Sequence, residues 1–115
     1  MKYCSEMIKL ASEMPVVNVK PGLSRQVMGY DDNIMLVRVN FDEEMVGQRP
    51  PLHQHPHVQS SYVMSGKFEA HIGDEVKILS AGDAYYVPSD LPHEMYCLEP
   101  GVIIDGFSPI REDFL

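Results

Sequence analysis

The sequence predicts an all-β fold, a sandwich or a barrel built from short strands. Apolar and β-branched runs recur at nearly regular intervals, and turns containing glycine or proline separate them. Gly73-Asp74 between two such runs is typical of a tight hairpin turn. The 115 residues suffice for one compact domain with a core and are too few for two. We therefore expect a single domain over residues 1–115.

The predicted elements follow one another along the chain. Apolar residues before Pro15 predict a short helix or a loosely docked N-terminal arm within residues 1–20, because the residue before a proline disfavours helix. The clearest strand is the apolar run from Asn33 to Phe41. The full set of predicted strands is 16–19, 24–30, 33–41, 58–64, 67–72, 75–79, 84–87, 93–99 and 102–107.

Charge and hydropathy exclude several classes of function. A formal net charge of -8 disfavours nucleic-acid binding, which needs clustered lysine and arginine. The sequence has no apolar run near the roughly 20 residues that span a bilayer, and Met1 to Leu10 lacks the pattern of a secretory signal. We expect a cytoplasmic protein with no membrane partner. Cys4 and Cys97 are expected to be free thiols, since two cysteines do not make a disulfide framework.

The histidines indicate a metal site. His53 and His55 point to the same side if their segment is extended, because side chains alternate between the two faces of a strand. His93 follows a turn rich in proline and can reach the same ion from a distant strand. His57 has the same parity as His53, so it either replaces His53 in a shifted register or holds a ligand in place. His71 is expected to be packed or solvent-facing.

Two motifs resemble those of the cupin superfamily. His53-x-His55, Gln59 and Gly66 keep the spacing of the first cupin motif, with Gly47 at its leading glycine and Gln59 at its glutamate position. The second motif is matched at its glycine, proline and histidine positions, and the residues that mark it are Gly82, Pro88 and His93, with Asp90 at a glycine position and Cys97 at an asparagine position. The resemblance covers residues 30–108 as the barrel core. It implies a double-stranded β-helix, the jelly-roll barrel.

A narrower resemblance follows from His53-x-His-Pro-His57-x-Gln59 and from the tail between Asp105 and Leu115. These segments look like the small cupins of pectin and alginate breakdown, which convert 4,5-unsaturated uronate monomers to their linear keto-aldehyde form. The resemblance implies an enzyme with one divalent transition metal (Zn, Ni, Mn, Fe or Co) and a small anionic sugar acid as substrate. It places His53, His55, Gln59 and His93 on the metal.

The same resemblance places Asp105, Phe107 and Arg111 at the substrate. Asp105 is the expected proton shuttle, and Arg111 offers a charged fork for a carboxylate. A glutamine in place of glutamate leaves the metal charge uncompensated, which favours an anionic ligand. Further pocket-lining residues are expected inside the barrel, on condition that a bulge brings the first two to the side of Gln59: Tyr62, Met64, Tyr85 and Met95.

Two other functions remain open on the sequence. Three histidines with open positions also suit a non-haem iron dioxygenase. A non-catalytic cupin that binds or senses a small molecule is the second alternative. Small cupins commonly pair, and the apolar residues within 1–20 suit addition to a neighbour's sheet, so a homodimer is expected.

Overall fold

Seven strands form where the β-branched and apolar runs lie in the sequence. The computed structural model describes residues 1–115. The strands are β1 (Val17–Lys20), β2 (Leu23–Asp31), β3 (Ile34–Phe41), β4 (Val58–Ile72), β5 (Glu75–Ser80), β6 (Ala84–Val87) and β7 (His93–Ser108). Short 3₁₀ helices lie at Ala11–Glu13, Glu43–Met45 and Glu112–Phe114.

All strand pairs are antiparallel, and two long strands connect the layers of the barrel. The hydrogen-bonded order is β1-β2-β3-β7-β4-β5, and β6 pairs with β4. The first half of β4 pairs with β6 and with the second half of β7. The second half of β4 pairs with β5 and with the first half of β7. β4 and β7 therefore each take part in both layers, which is the arrangement of a jelly-roll barrel.

Glycines at the corner let these two strands turn together. The register between β4 and β7 shifts between Val63 and Phe68. Gly66 has a φ of 86° there, in the left-handed region that favours glycine. A Cβ on the facing Gly101 would lie 2.1 Å from the carbonyl oxygen of Ser65. The close approach of the two backbones thus requires glycine on both strands.

The core lies in two clusters with a cavity between them. The larger cluster contains Phe68, Val63 and Ile103, and the smaller contains Met35 and Phe107. The cavity is lined by members of both clusters. Apolar residues of the barrel interior therefore form much of the cavity wall. A polar side chain reaches the cavity only where its strand position faces the interior.

The prediction of an all-β jelly roll is confirmed, with one difference in its strands. The runs 58–64 and 67–72 form one strand, as do 93–99 and 102–107, because the chain keeps its ladder hydrogen bonds through the corner. The N-terminal segment is an arm with a single 3₁₀ turn, and its backbone pairs with β2 through Ser5 and Tyr30 of the same chain. No helix in the structure has the length and apolar character needed to cross a membrane.

Candidate active site

The structure brings His53, His55 and His93 together at one end of the cavity. Their ligand nitrogens all lie within 4.8 Å of one another. His93 begins β7, and a two-way backbone bridge between His93 and His53 fixes the two segments side by side. The segment that carries His53 and His55 is extended but lies before β4 rather than in it. His55 and His93 are buried, whereas His53 is exposed.

Hydrogen bonds orient the three imidazole rings. Nδ1 of His55 donates to the carbonyl oxygen of His57 at 2.9 Å, and Nδ1 of His93 donates to that of Leu91 at 2.8 Å. A carbonyl oxygen only accepts, so Nε2 of both rings carries the lone pair. Nδ1 of His53 lies 3.3 Å from a carboxylate oxygen of Glu94. Such partners behind the ring are the usual support of metal-binding histidines.

The side chain of Gln59 offers a fourth candidate donor beside the histidines. Its amide nitrogen donates to Ser61 Oγ and to Asp105 Oδ1, both at 3.0 Å, which fixes the direction of Oε1. Oε1 then lies 3.1 Å from Nε2 of His55. Both atoms are hydrogen-bond acceptors, so they face each other without a proton between them.

A cation resolves this arrangement. Nε2 of His93 is buried without a hydrogen-bond partner, a costly state for a polar atom. Burial also lowers the pKa of His93, which keeps the ring neutral as a metal ligand requires. Three imidazole nitrogens and one amide oxygen therefore fit a divalent transition metal.

Asp105 lies directly behind Gln59, on β7. Its Oδ1 accepts hydrogen bonds from Ser61 (2.6 Å), Gln59 (3.0 Å) and Tyr85 (3.3 Å). Burial raises the pKa of Asp105 above the usual carboxyl range, and the three donors oppose that effect. Three donors therefore engage Oδ1 of Asp105.

The C-terminal tail closes one side of the cavity. Phe107 packs edge-on against His55, with ring centres 5.7 Å apart, and Phe114 packs against Phe107 at 5.8 Å. The guanidinium of Arg111 stacks on Phe114 at 4.2 Å. Arg111 also donates two hydrogen bonds to the carboxylate of Asp113. The tail residues predicted from the sequence thus do lie at the site.

The cavity has a volume of about 340 Å³, at the lower end of the roughly 300–1,000 Å³ common for small-molecule sites. Its lining includes the predicted residues His53, His55, Gln59, Tyr85, His93, Met95, Asp105, Phe107 and Arg111. Its size and mixed walls suit a small polar molecule.

Tyr62 and Met64 do not line the cavity, and this expectation was wrong. Both side chains are about half exposed on the outer face of β4. The pairing of β4 with β7 is regular from Val58 to Val63, and its register shifts only after Val63, too late to turn Tyr62 inward. Gln59, Ser61 and Val63 are buried, whereas the alternate residues Ser60, Tyr62 and Met64 are exposed.

His57 and His71 lie outside the donor set. Nε2 of His57 is 3.2 Å from the carbonyl oxygen of Ile110, so this ring holds the C-terminal tail. His71 contacts Glu69 and packs on Tyr96 with ring centres 4.8 Å apart. A candidate ligand is held only by the backbone carbonyl oxygen of His57, which accepts from Nδ1 of His55, so the second role considered for the His57 ring stays a prediction.

Sequence reasoning missed several residues of the site. Ser61 lies two residues after Gln59 and therefore faces the same side of β4, so this signal was available in the sequence. Glu94 follows His93 directly and supports His53 from behind. Arg25 and Phe114 enter the cavity from elements remote from both motifs, and no local pattern marks them.

Asp90 preserves the backbone shape that the second motif requires. It stands where the motif has glycine, and it has a φ of 61°, the only non-glycine residue with a positive φ. Its backbone N–H donates to the carbonyl oxygen of His55 at 2.8 Å. Aspartate tolerates the left-handed region better than most residues, so the turn still connects the two histidine segments.

Comparison with known proteins agrees with this geometry. The family model for the cupin domain matches residues 42–106. The pectin degradation protein KdgF of Dickeya dadantii is 39% identical over 105 residues, which cover 90% of this chain and 93% of that protein.

Solved structures give the same result. An RmlC-like cupin from Shewanella frigidimarina superposes with a TM-score of 0.89 at 36% identity and covers 97% of this chain and 98% of its own. KdgF from Halomonas sp. superposes with a TM-score of 0.86 at 35% identity and covers 96% of this chain and all of its own. This chain therefore belongs to the cupin domain family, in the group that includes the pectin degradation protein KdgF.

Proposed function

We propose that this cupin is a metal-dependent enzyme of pectin or alginate breakdown that linearises 4,5-unsaturated uronate monomers. The name of the related KdgF proteins supports a role in pectin degradation. One structural observation carries the proposal: the amide of Gln59 connects a candidate metal-ligand oxygen with the partly buried carboxylate of Asp105. The cavity thus combines an electrophilic centre with a proton-transfer group.

The donor set suits an anionic substrate. His53, His55, His93 and Gln59 would hold the ion, which when bound supplies Lewis-acid polarisation of a substrate oxygen. All four donors are neutral, so none of them offsets the charge of the ion. A sugar acid with a carboxylate and adjacent oxygens matches such a site better than a neutral sugar does.

The reaction requires proton transfer and no redox change. The substrate is a cyclic hemiacetal whose ring oxygen belongs to an enol ether. Ring opening removes the proton of the anomeric hydroxyl and breaks the bond between the anomeric carbon and the ring oxygen. The resulting enolate gains a proton at the neighbouring carbon and becomes a ketone.

Asp105 is the group proposed to move these protons. Oδ1 is held by Ser61, Gln59 and Tyr85, so Oδ2 can accept the first proton and return one to carbon. A raised pKa suits such exchange, because proton transfer is most efficient when the pKa lies near the working pH. Phe107 and Met95 supply apolar walls that restrict water around the sugar ring.

The test follows the ultraviolet absorbance of the conjugated 4,5-double bond in unsaturated uronate monomers. We expect the purified protein to accelerate its loss above the spontaneous rate, chelation to remove the acceleration, and an added divalent metal to restore it. The His93→Ala variant at equal concentration sets the baseline. No acceleration with any of the metals would reject the proposal; a dependence on dioxygen would indicate an oxygenase, and ligand binding without turnover would indicate a sensor.

We also propose that the protein is a homodimer that pairs through β1. This strand is at the end of the sheet order, so its outer edge has no partner in the chain. Val16, Val17 and Val19 beside that edge are exposed. Open edges of this kind accept a strand from another chain. Sedimentation velocity at micromolar concentration should give twice the chain mass of 13.0 kDa; a monomer would contradict the proposal.

A further inference from the structure

We propose that Arg25, rather than Arg111, binds the carboxylate of the sugar acid. The identity of the ligand rests on the proposed function, and the site itself rests on the geometry of the cavity. Arg25 lies on β2 and reaches the cavity that contains the candidate metal ligands. The proposal gives the cavity two recognition points, the metal centre and a separate carboxylate site.

Arg25 is a cation without an internal partner. Its Nε is buried and has no hydrogen bond, and its side chain takes part in none of the ion pairs of the chain, which are formed by Lys9, Arg49, His53, His71 and Arg111. A buried donor that lacks a partner costs free energy, and more so in a charged group. This cost is recovered when an acceptor enters the cavity.

Arg111 is already engaged. Its Nε donates to Asp113 Oδ1 at 3.0 Å, and a terminal guanidinium nitrogen donates to Asp113 Oδ2 at 2.8 Å. These two N–H groups form the fork that would otherwise bind a carboxylate side by side. A substrate carboxylate could take the same fork only by displacing Asp113.

Phe114 holds the free guanidinium in place. The central carbon of Arg25 lies 4.0 Å from the centre of the Phe114 ring, and that of Arg111 lies 4.2 Å from the same centre. Stacking fixes the plane of a guanidinium while leaving its edge available for hydrogen bonds in that plane. The guanidinium plane of Arg25 therefore has a defined orientation before any ligand arrives.

A half-buried arginine with no hydrogen-bond or ion-pair partner also produces selectivity. A carboxylate satisfies the fork with two charge-assisted hydrogen bonds. A neutral hydroxymethyl group in the same place leaves the charge of Arg25 uncompensated, and sites with polar groups left unpaired reject such analogues strongly. Sugar acids should therefore be favoured over the corresponding neutral sugars.

Calorimetric titration with D-galacturonate and with D-galactose tests the assignment, because these sugars differ at the carboxylate. The protein is used as purified and again with chelator, so that binding to the metal is separated from binding to Arg25. We expect Arg25→Met to weaken galacturonate binding by about 10- to 100-fold, the loss of charge-assisted hydrogen bonds, and to leave the weak binding of galactose unchanged. The matched control is Arg38→Met, because Arg38 lies on the neighbouring β3, contacts Asn40 and is absent from the cavity lining.

A second measurement follows binding to the wild-type protein itself. The Arg25 Nε–H resonance of ¹⁵N-labelled wild-type protein, assigned with Arg25→Lys, should shift on addition of galacturonate and not on addition of galactose. Unchanged affinity in Arg25→Met, or a larger loss in Arg111→Met, would overturn the assignment. Binding that depends on Arg25 without any uronate turnover would reject the linearisation and leave the carboxylate site standing. Uronate turnover together with binding that does not depend on Arg25 would support the linearisation and reject the carboxylate site.

Discussion

The His93→Ala variant is expected to lose divalent-metal binding while it keeps its fold. His93 supplies a buried Nε2 that has no partner within the protein, so its ring is directed at the proposed ion. Even loss of a group that only supports a ligand costs roughly 10- to 100-fold in metal affinity, and loss of a ligand should cost at least as much. Metal content after dialysis, measured by inductively coupled plasma mass spectrometry, gives the affinity change directly.

Thermal unfolding supplies a readout that does not depend on activity. A ligand at 100 times its dissociation constant stabilises the folded state by about 2.7 kcal/mol, so added metal should raise the melting temperature of the wild-type protein and not that of His93→Ala. The matched control is His57→Ala, since His57 has the same parity as His53 but holds the carbonyl oxygen of Ile110. Equal metal loss in both variants, or wild-type affinity in His93→Ala, would show that the donor set is misassigned.

The strands were predictable because their signals are local. β6 matches its predicted range, and β3 and β5 differ by one residue at one end. The two long strands were predicted as halves, because Gly66 and Pro100-Gly101 have the composition of turns. A strand that bends at a glycine and a loop that separates two strands have similar composition. What distinguishes them is whether the backbone stays paired with a neighbouring strand, and that depends on residues distant in the sequence.

The cluster of candidate metal ligands was predictable for a similar reason. His53 and His55 are close in sequence, and the motif spacing adds Gln59 and His93. The residues that line the cavity were harder to predict from the sequence. Tyr62 and Met64 were assigned inward on condition of a bulge after Gln59, but the pairing is regular from Val58 to Val63, and simple alternation from Gln59 gives the correct face.

The remaining residues of the site depend on tertiary packing. Arg25 approaches from β2, and Phe114 from a 3₁₀ helix at the end of the tail. Neither residue has a fixed distance in sequence from the histidines, so spacing cannot identify them. Arg25 stacks on the ring of Phe114 because the C-terminal tail packs Phe114 against Phe107 at the cavity.

The Asp105→Asn variant is expected to lose turnover and to retain the metal. Asparagine has the same shape, and its side-chain oxygen can still accept the hydrogen bonds of Ser61 and Gln59, so the direction of Gln59 Oε1 should persist. It has no carboxyl oxygen for proton exchange, and removal of general acid–base catalysis typically lowers kcat by about 10²- to 10⁴-fold. The uronate absorbance assay gives kcat, and mass spectrometry of the same sample gives the metal content.

The matched control, Asp74→Asn, makes the same chemical change in the exposed turn between β4 and β5, and it should leave both quantities unchanged. Unchanged turnover in Asp105→Asn would exclude the proton-shuttle role. Loss of turnover together with loss of metal would lead to a different conclusion: Asp105 would then act by holding Gln59, and the proton would have to move through another group. The two measurements on one sample thus separate a catalytic residue from a positioning residue, a distinction that the shared hydrogen bond between Gln59 and Asp105 makes necessary.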